Sequence, residues 1–275
     1  MKILVPSNMT KSSQVAADFA LSFFGNGASY LLLNSFPFAY RSGFYDSINN
    51  YTPEHDEIPL EKLKRERKRL IQKFGESEID IKALYGNPVE DIQKVAQQEK
   101  VDLIVVGFSN FKKWKDGLSY RNQHAVMDLP YPIVLVPENH QYEATKKLYY
   151  VTDFSNNIES ESTQLIRGIA QLSEAEITLY CFEKTPDDHS IEKWMLDKYL
   201  GGLEHTFKLI PNLQSGLSSL MEELKKEENA FIVFDFKTDQ NALFENIESN
   251  VNNQLYVKPL LLMPKRYKNS LSRGA

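Results

Sequence analysis

A loop that follows an apolar run contains the residues of this chain best suited to binding a phosphate. The run VDLIVVG ends at Gly107, and Ser109, Asn110, Ser119 and Tyr120 follow in the next segment. Glycine adopts positive φ and lets a phosphate approach the main chain, and amides at the start of a following helix donate to it. Asparagine readily enters the left-handed region in place of glycine. The segment therefore has the features of a phosphate-binding loop that begins at a glycine.

Two polar residues, Ser7 and Asn8, directly follow the first apolar run of the chain, KILVP at 2–6. Ligands of parallel α/β sheets bind at the carboxyl ends of the strands. Both apolar runs have the composition of buried strands in such a sheet, so the residues that follow them are expected at one edge. We therefore expect one ligand site near Ser7, Asn8, Gly107, Ser109, Asn110, Ser119 and Tyr120.

Other catalytic and metal-binding patterns are missing from the sequence. It contains no GxSxG, no Walker A sequence and no GxGxxG. The five histidines have neither HxH nor HxxxH spacing, and the lone Cys181 excludes an internal disulfide and a cysteine metal centre. These absences predict a chain with no catalytic residue and no metal.

Two basic segments raise the question of a nucleic-acid or membrane partner. The segment FKKWK at 111–115 either attracts an anion and stacks on a base or forms a solvated loop, and we favour the solvated loop. The segment EKLKRERKRL at 61–70 has six basic residues in ten, but acidic residues at helical spacing favour a solvated helix face. The predicted pairs are Glu61 with Arg65, Glu66 with Arg69 and Glu66 with Lys62. With a formal net charge of −5, the chain is expected to bind neither nucleic acid nor a membrane.

Strands and helices alternate along the first half of the sequence. Gly25 is expected to end the first helix, and Asn87 with Pro88 is expected to begin the third. Alternation of this kind predicts a parallel sheet that helices cover on both faces. The predicted strands are 2–6, 28–36, 78–86, 101–107 and 132–137, and the predicted helices are 10–25, 60–75 and 87–100.

The second half repeats this plan in a shorter form. KLYYVTDFS matches KILVPSNMT, AEITLYCFE matches ASYLLLNSF, AFIVFDF matches VDLIVVGF, and YVKPLLLMP matches LPYPIVLVP. The stretch from Asp153 to Asp235 is shorter than the matching stretch from Asn8 to Gly107, so the second copy lacks residues that the first contains. We expect them to be missing from its long loop and charged helix. The polar linker ENHQYEATKK divides the chain into predicted domains 1–140 and 141–275.

Four of these segments together resemble the universal stress protein family. They are KILVPSNMTKSSQVAADFA, GNPVEDIQKVAQQEKVDLIVVG, LPYPIVLVP and the VTDFS of the second copy. The resemblance implies an α/β fold with two tandem open parallel five-stranded sheets and helices on both faces, which is the Rossmann-like, adenine nucleotide alpha hydrolase-like class. It also implies pairing along the last strand of each sheet.

ATP-binding members of this family carry an Asp near the end of the first strand. Their loop after the fourth strand reads Gly, two residues, Gly, nine residues, Gly, then Ser or Thr. Against that pattern, Asn8 replaces the Asp, Gly107 keeps the first glycine and Asn110 takes the second. Ser119 stands at the third glycine and Tyr120 at the hydroxyl position. The resemblance thus implies a degraded site, with no cofactor or ATP bound weakly by the first domain.

The second domain departs further from the family pattern. Asp153 keeps the acidic residue, but the segment FDFKTDQNALFENIESNVNNQL contains no glycine, and Asp235 stands at the first glycine position. A carboxylate about 4 Å from a phosphate charge repels it by roughly 4 kcal/mol at an effective dielectric constant of about 20. We therefore predict that the second domain does not bind ATP.

These observations predict a cytoplasmic, non-catalytic interaction or regulatory module, since the sequence has neither a signal peptide nor a membrane span. Two alternatives remain: weak binding of ATP by the first domain, and binding of another small ligand. The strands PIVLVP and PLLLMP are short, apolar and bounded by prolines, so we expect them to pair as an intramolecular pseudo-dimer. A further homodimer is compatible with the sequence, which identifies no protein partner.

Overall fold

Ten β-strands form a single sheet in the computed structural model of this chain. The strands are β1 (Lys2–Pro6), β2 (Ser29–Phe36), β3 (Ile79–Tyr85), β4 (Leu103–Phe108), β5 (Ile133–Pro137), β6 (Lys147–Thr152), β7 (Glu176–Phe182), β8 (His205–Ile210), β9 (Ala230–Asp235) and β10 (Leu260–Leu262). The structure describes residues 1–36, 54–108, 126, 129–152, 161–182, 198, 200–210, 220, 224, 227, 229–235 and 258–264.

The strands lie in the order β3-β2-β1-β4-β5-β10-β9-β6-β7-β8. Every neighbouring pair is parallel except β5 and β10, so the sheet consists of two parallel groups of five strands. Both faces are buried: Ile3 and Val5 belong to one apolar cluster and Leu4 to the other. This explains the continuous apolar runs in the sequence and confirms the predicted α/β class.

Four longer helices lie within the described residues: α1 (Lys11–Phe24), α2 (Glu54–Phe74), α3 (Pro88–Gln98) and α4 (Glu161–Ser173). Thr10 caps α1, and Gly25 ends it with a φ of 58°. Asn87 caps α3 by accepting a hydrogen bond from the Val89 amide, and Pro88 is its first residue. The predicted stop of α1 and the predicted cap of α3 are therefore confirmed.

Helix α2 differs from its prediction at its start and on its charged face. It begins at Glu54, before Pro59, although the sequence predicted a start after that proline. The salt bridge of Glu61 is with Lys64, at 2.7 Å, and not with the predicted Arg65. Glu66 pairs with Arg69 as predicted, but its side chain is only 4% exposed, and Arg69 also binds Asp18 of α1 at 2.7 Å. Arg69 and Asp18 thus hold α2 against α1, whereas the other basic residues of 61–70 are exposed, as predicted for a solvated face.

The two groups of strands meet at an antiparallel seam between β5 and β10. Leu260 lies opposite Leu135, Leu261 opposite Val134 and Leu262 opposite Ile133. The seam joins PIVLVP to PLLLMP, which confirms the predicted intramolecular pairing. The domain limits 1–140 and 141–275 stay a prediction, as does a further homodimer.

Aromatic rings join the two groups above the seam. Phe19 and Phe23 of α1 stack with Phe231 of β9, with ring centroids 6.1 and 5.3 Å apart. Phe231 is fully buried, and residues of both groups belong to each of the two apolar clusters. The core therefore continues across the seam.

The second copy is shorter because one of its connections between strands contains fewer residues. The connection from β2 to β3 runs from Phe36 to Ile79 and contains α2, whereas the one from β7 to β8 runs only from Phe182 to His205. The shortened connection is thus the one that was predicted to have lost residues from its loop and charged helix. Within the described ranges, no helix is long and apolar enough to span a membrane. A cytoplasmic location stays a prediction.

Candidate functional site

The predicted site is divided between described and undescribed residues. Ser7 and Asn8 directly follow β1, and Gly107 lies next to the end of β4. Strands β1 and β4 are neighbours, with Ile3 opposite Leu103, and this register continued by four residues brings Ser7 level with Gly107. The structure thus brings these three residues to one edge of the sheet. Their partners in the prediction lie outside the described residues: Ser109, Asn110, Ser119 and Tyr120.

Ser7 is held within the fold. Its side chain is buried, and its amide donates to the Leu33 carbonyl of β2 at 2.7 Å. Its hydroxyl donates to Ser13 Oγ at 3.4 Å and lies 3.8 Å from the sulfur of Met9. These contacts connect the end of β1 to β2 and to the first turn of α1.

Asn8 is exposed, but its side-chain oxygen already accepts hydrogen bonds from within the turn. Asn8 Oδ1 accepts from Thr10 Oγ1 at 2.6 Å and from the Thr10 amide at 3.3 Å. Met9 between them has a φ of 62°, which places it in the left-handed region. Asn8 therefore orients the residue that caps α1, a role typical of asparagine before a helix.

The close packing of α1 against β4 explains why residue 107 is a glycine. The sequence analysis attributed this glycine to phosphate binding instead. The φ of Gly107 lies outside the left-handed region. A Cβ at this position would overlap the main-chain carbonyl of Ser12 and would lie 2.9 Å from the Ser13 amide nitrogen. The first turn of α1 is thus in direct contact with β4. The missing side chain permits this approach, whereas a cradle with positive φ at Gly107 is not formed.

Asp235 occupies the equivalent position in the second group of strands. Ile104 of β4 lies opposite Ile133 of β5, and Ile232 of β9 lies opposite Leu260 of β10. Three residues beyond Ile104 and Ile232 stand Gly107 and Asp235 respectively. The repeat that the sequence predicted therefore holds residue by residue at this point.

The Asp235 carboxylate is buried and engaged. Its side chain is 1% exposed, and its Oδ2 accepts a hydrogen bond of 2.8 Å from the Tyr150 hydroxyl. Tyr150 stands where the first copy has Val5. The predicted companions Asp153, Lys237 and Asp239 lie outside the described residues.

The Tyr150–Asp235 pair was missed by the sequence analysis. Side chains two residues apart on a strand share a face, and Tyr150 lies opposite Val233, two residues before Asp235. Tyr150 and Asp235 are thus diagonal neighbours on one face of adjacent strands, where a phenol reaches a carboxylate. The sequence did contain a signal for this pair. Tyr150 stands where the first copy has the buried Val5, and Asp235 stands where it has Gly107.

We expect Tyr150→Phe to lower the free energy of unfolding by about 1.5–3 kcal/mol, because it removes a buried hydrogen bond to a carboxylate. Urea denaturation followed by far-ultraviolet circular dichroism measures the loss. Tyr142→Phe is the matched control, since Tyr142 is 44% exposed and its hydroxyl is expected to contribute little. Equal stability of the two variants would show that the pair has no stabilising role.

A cavity of about 440 Å³ lies elsewhere, between the linker and the second group of strands. It opens at the amino ends of β6, β9 and β10 and is lined mainly by polar side chains. Glu227 at its wall binds Lys147 at 2.6 Å, and Lys258 donates to the Leu224 carbonyl. The polar lining consists of Asn139, His140, Gln141, Glu143, Thr145, Glu227, Asn229 and Lys258.

Metal chemistry receives no support from the described part of the chain. It contains no group of three or more His, Cys, Asp or Glu residues arranged to hold a metal ion. His140 lies beside Phe19 with ring centroids 5.5 Å apart, and Nδ1 of His205 lies 2.9 Å from the Leu203 carbonyl oxygen. Cys181 is buried in β7.

Comparisons with known proteins agree with this architecture. Residues 1–125 match the model of the Universal stress protein family. A universal stress protein from Archaeoglobus fulgidus DSM 4304 has a TM-score of 0.69 and 14% identity, over 96% of this chain and 98% of that chain. No curated protein matches the chain by sequence.

Two structures from Pseudomonas aeruginosa are also similar. A functionally unknown protein from strain PAO1 has a TM-score of 0.52 and 14% identity. A putative universal stress protein from strain UCBPP-PA14 has a TM-score of 0.51 and 13% identity. Each likeness covers 96% of this chain and 92% of the other. At these identities the solved structures establish the fold of the whole chain and leave its ligands open.

Proposed function

From the match of residues 1–125 to the universal stress protein family, we propose that this chain is a non-catalytic interaction or regulatory module with a degraded nucleotide site. The observation that carries the proposal is Asp235, a buried acid at the position where the first copy keeps a glycine of the family pattern. Its carboxylate is held by Tyr150 at 2.8 Å. A phosphate at this point would meet the side chain of an acid where the family pattern has only main chain, and a carboxylate there would repel it.

The first copy supports the same proposal through two residues. Asn8 offers an amide in place of a carboxylate, and its oxygen is already bound by Thr10 at 2.6 Å. Gly107 has a structural reason to remain glycine, since α1 packs directly against it. Retention of Gly107 is therefore no sign of phosphate binding. The loop residues Asn110, Ser119 and Tyr120 remain proposed members of the residual site.

A second candidate function is the binding of a small ligand other than ATP, which the cavity beside the linker favours. Its volume of about 440 Å³ is within the usual range of small-molecule sites. The amides of Asn139, Gln141 and Asn229 offer donors and acceptors to a neutral molecule. Of its two carboxylates, Glu227 is paired with Lys147, so the charges of the lining are largely balanced, as suits a neutral molecule.

One experiment separates these functions. The full chain, purified without added ligand, is analysed by native mass spectrometry and is then titrated with magnesium ATP in a calorimeter. An interaction module is expected to carry no small molecule and to give no binding heat. A copurified molecule that is lost after Gln141→Ala would support the cavity and the second candidate instead.

The titration also tests the loss of the nucleotide site directly. Micromolar affinity for ATP that disappears in Asn110→Asp would contradict the proposal, because it would place a working phosphate loop after β4. Asn139→Asp is a suitable control, since it adds the same charge at the cavity beside the linker.

A further inference from the structure

The turn between α1 and β2 contains the only Asn–Gly pair of the sequence, Asn26 and Gly27. Both residues are exposed, in a one-turn 3₁₀ helix that spans Gly25–Gly27. Apart from Gly27 and its two neighbours in the chain, no residue that the structure describes has an atom within 4 Å of the position that a Cβ of Gly27 would take. The space beside Gly27 is therefore open, but its main-chain N–H donates an i→i+3 hydrogen bond of the 3₁₀ helix, so this turn must open before the nitrogen can react.

The side chain of Asn26 accepts a hydrogen bond from the hydroxyl group of Ser77. Ser77 Oγ, in the connection between α2 and β3, donates a hydrogen bond of 2.9 Å to Asn26 Oδ1. A donor on this oxygen draws electron density from the side-chain carbonyl carbon and stabilises the negative charge that forms on the oxygen when a nucleophile adds. Ser77 thus stands where a group that assists attack on Asn26 Cγ is needed.

We propose that Asn26 is a site of spontaneous deamidation, with Ser77 as a positioning residue. The Gly27 amide loses its proton to base, and its nitrogen forms a bond to Asn26 Cγ. The bond from Cγ to Nδ2 breaks, and ammonia leaves with a proton taken from water. Water then opens the resulting five-membered ring at either carbonyl, giving aspartate or isoaspartate, so the net reaction is replacement of NH by O.

The turn is coupled to buried structure, so the modification has a consequence for the fold. The hydroxyl of Tyr30 donates to the Gly25 carbonyl at 2.6 Å and to the Ala20 carbonyl at 3.3 Å. Burial raises the pKa of Tyr30 above its ordinary value, so the hydroxyl remains a donor. An isoaspartate at position 26 adds a methylene group to the main chain directly after Gly25. Aged protein is therefore expected to unfold at a lower urea concentration than fresh protein.

The test follows the intact chain during incubation in warm, mildly alkaline buffer. Digestion and peptide mass spectrometry detect the exchange of NH for O at Asn26, and chromatography separates the aspartate and isoaspartate peptides. A synthetic peptide with the sequence FFGNGASY serves as the unfolded reference. Native protein is expected to react measurably but more slowly than the peptide, because the 3₁₀ turn must open first, and Gly27→Ala is expected to slow the reaction several-fold.

Asn87 is an internal control, because it precedes Pro88, whose nitrogen carries no hydrogen, and is therefore expected to stay intact. Ser77→Ala is expected to slow the reaction in the folded protein, and Ser77→Thr to restore it. If Asn26 remains intact while the peptide reacts, the turn protects it and the proposal is wrong. A rate that is unchanged or increased in Ser77→Ala would remove Ser77 from the mechanism.

Discussion

Replacing Gly107 by alanine is expected to lower the free energy of unfolding by about 3 kcal/mol or more. The new Cβ would overlap the main-chain carbonyl of Ser12, and backbone atoms cannot turn aside as the end of a long side chain can. Helix α1 would have to move away from β4, and its buried face would lose contact with the sheet. Urea denaturation of the ligand-free protein, followed by circular dichroism, measures the effect.

Gly168 provides the matched control for this substitution. It lies inside α4, and a Cβ there would meet no atom within 4 Å. Gly168→Ala is expected to raise stability by about 0.5–1 kcal/mol, because glycine is unfavourable within a helix. If Gly107→Ala unfolds at the same urea concentration as the unmodified chain, the close contact between α1 and β4 is not formed in solution.

Replacing Phe231 by alanine is expected to lower the free energy of unfolding by about 3–5 kcal/mol. Phe231 is fully buried in β9, and its ring stacks with Phe19 and Phe23 of α1 on the other side of the seam. Because this contact joins the two groups of strands, we expect the loss to shift a single cooperative transition of the whole chain. Calorimetry and circular dichroism should then report the same midpoint.

Two further variants keep this prediction open to refutation. Phe231→Leu retains most of the volume and is expected to lose about 1.5 kcal/mol, which is informative even if the alanine variant does not fold. Leu209→Ala, at a side chain 48% exposed on the edge strand β8, is expected to change stability by no more than about 0.5 kcal/mol. Two separate transitions, of which Phe231→Ala shifts only one, would show that the halves unfold independently.

Local chemistry explains the parts of the fold that the sequence predicted well. The residues Asn87 and Pro88 begin α3, and Gly25 ends α1, because these residue types satisfy or terminate a helix through their own backbone and side-chain geometry. The apolar runs of β1 and β5 predicted their bounds since strands buried on both faces contain little else. Pairing at the seam followed from two short apolar strands that end in proline.

The candidate site was harder to predict because its decisive contacts join distant parts of the chain. Gly107 has no positive φ and is required instead by the close approach of α1 to β4, which no local pattern reveals. Tyr150 and Asp235 lie far apart in the sequence and form one hydrogen bond. Burial of Glu66 likewise depends on Arg69 reaching Asp18 of another helix. The predicted roles of Ser109, Asn110, Ser119 and Tyr120 remain predictions.

The antiparallel seam sets the direction in which each copy of the fold faces. Since β5 and β10 run in opposite directions, the carboxyl ends of β1 and β4 lie along one rim of the molecule, and those of β6 and β9 lie along the opposite rim. Substitutions at the strand ends of one copy can therefore change the surface of one rim and leave the surface of the other rim unchanged. A partner that binds along one rim therefore meets the carboxyl ends of β1 and β4, and one that binds along the opposite rim meets those of β6 and β9.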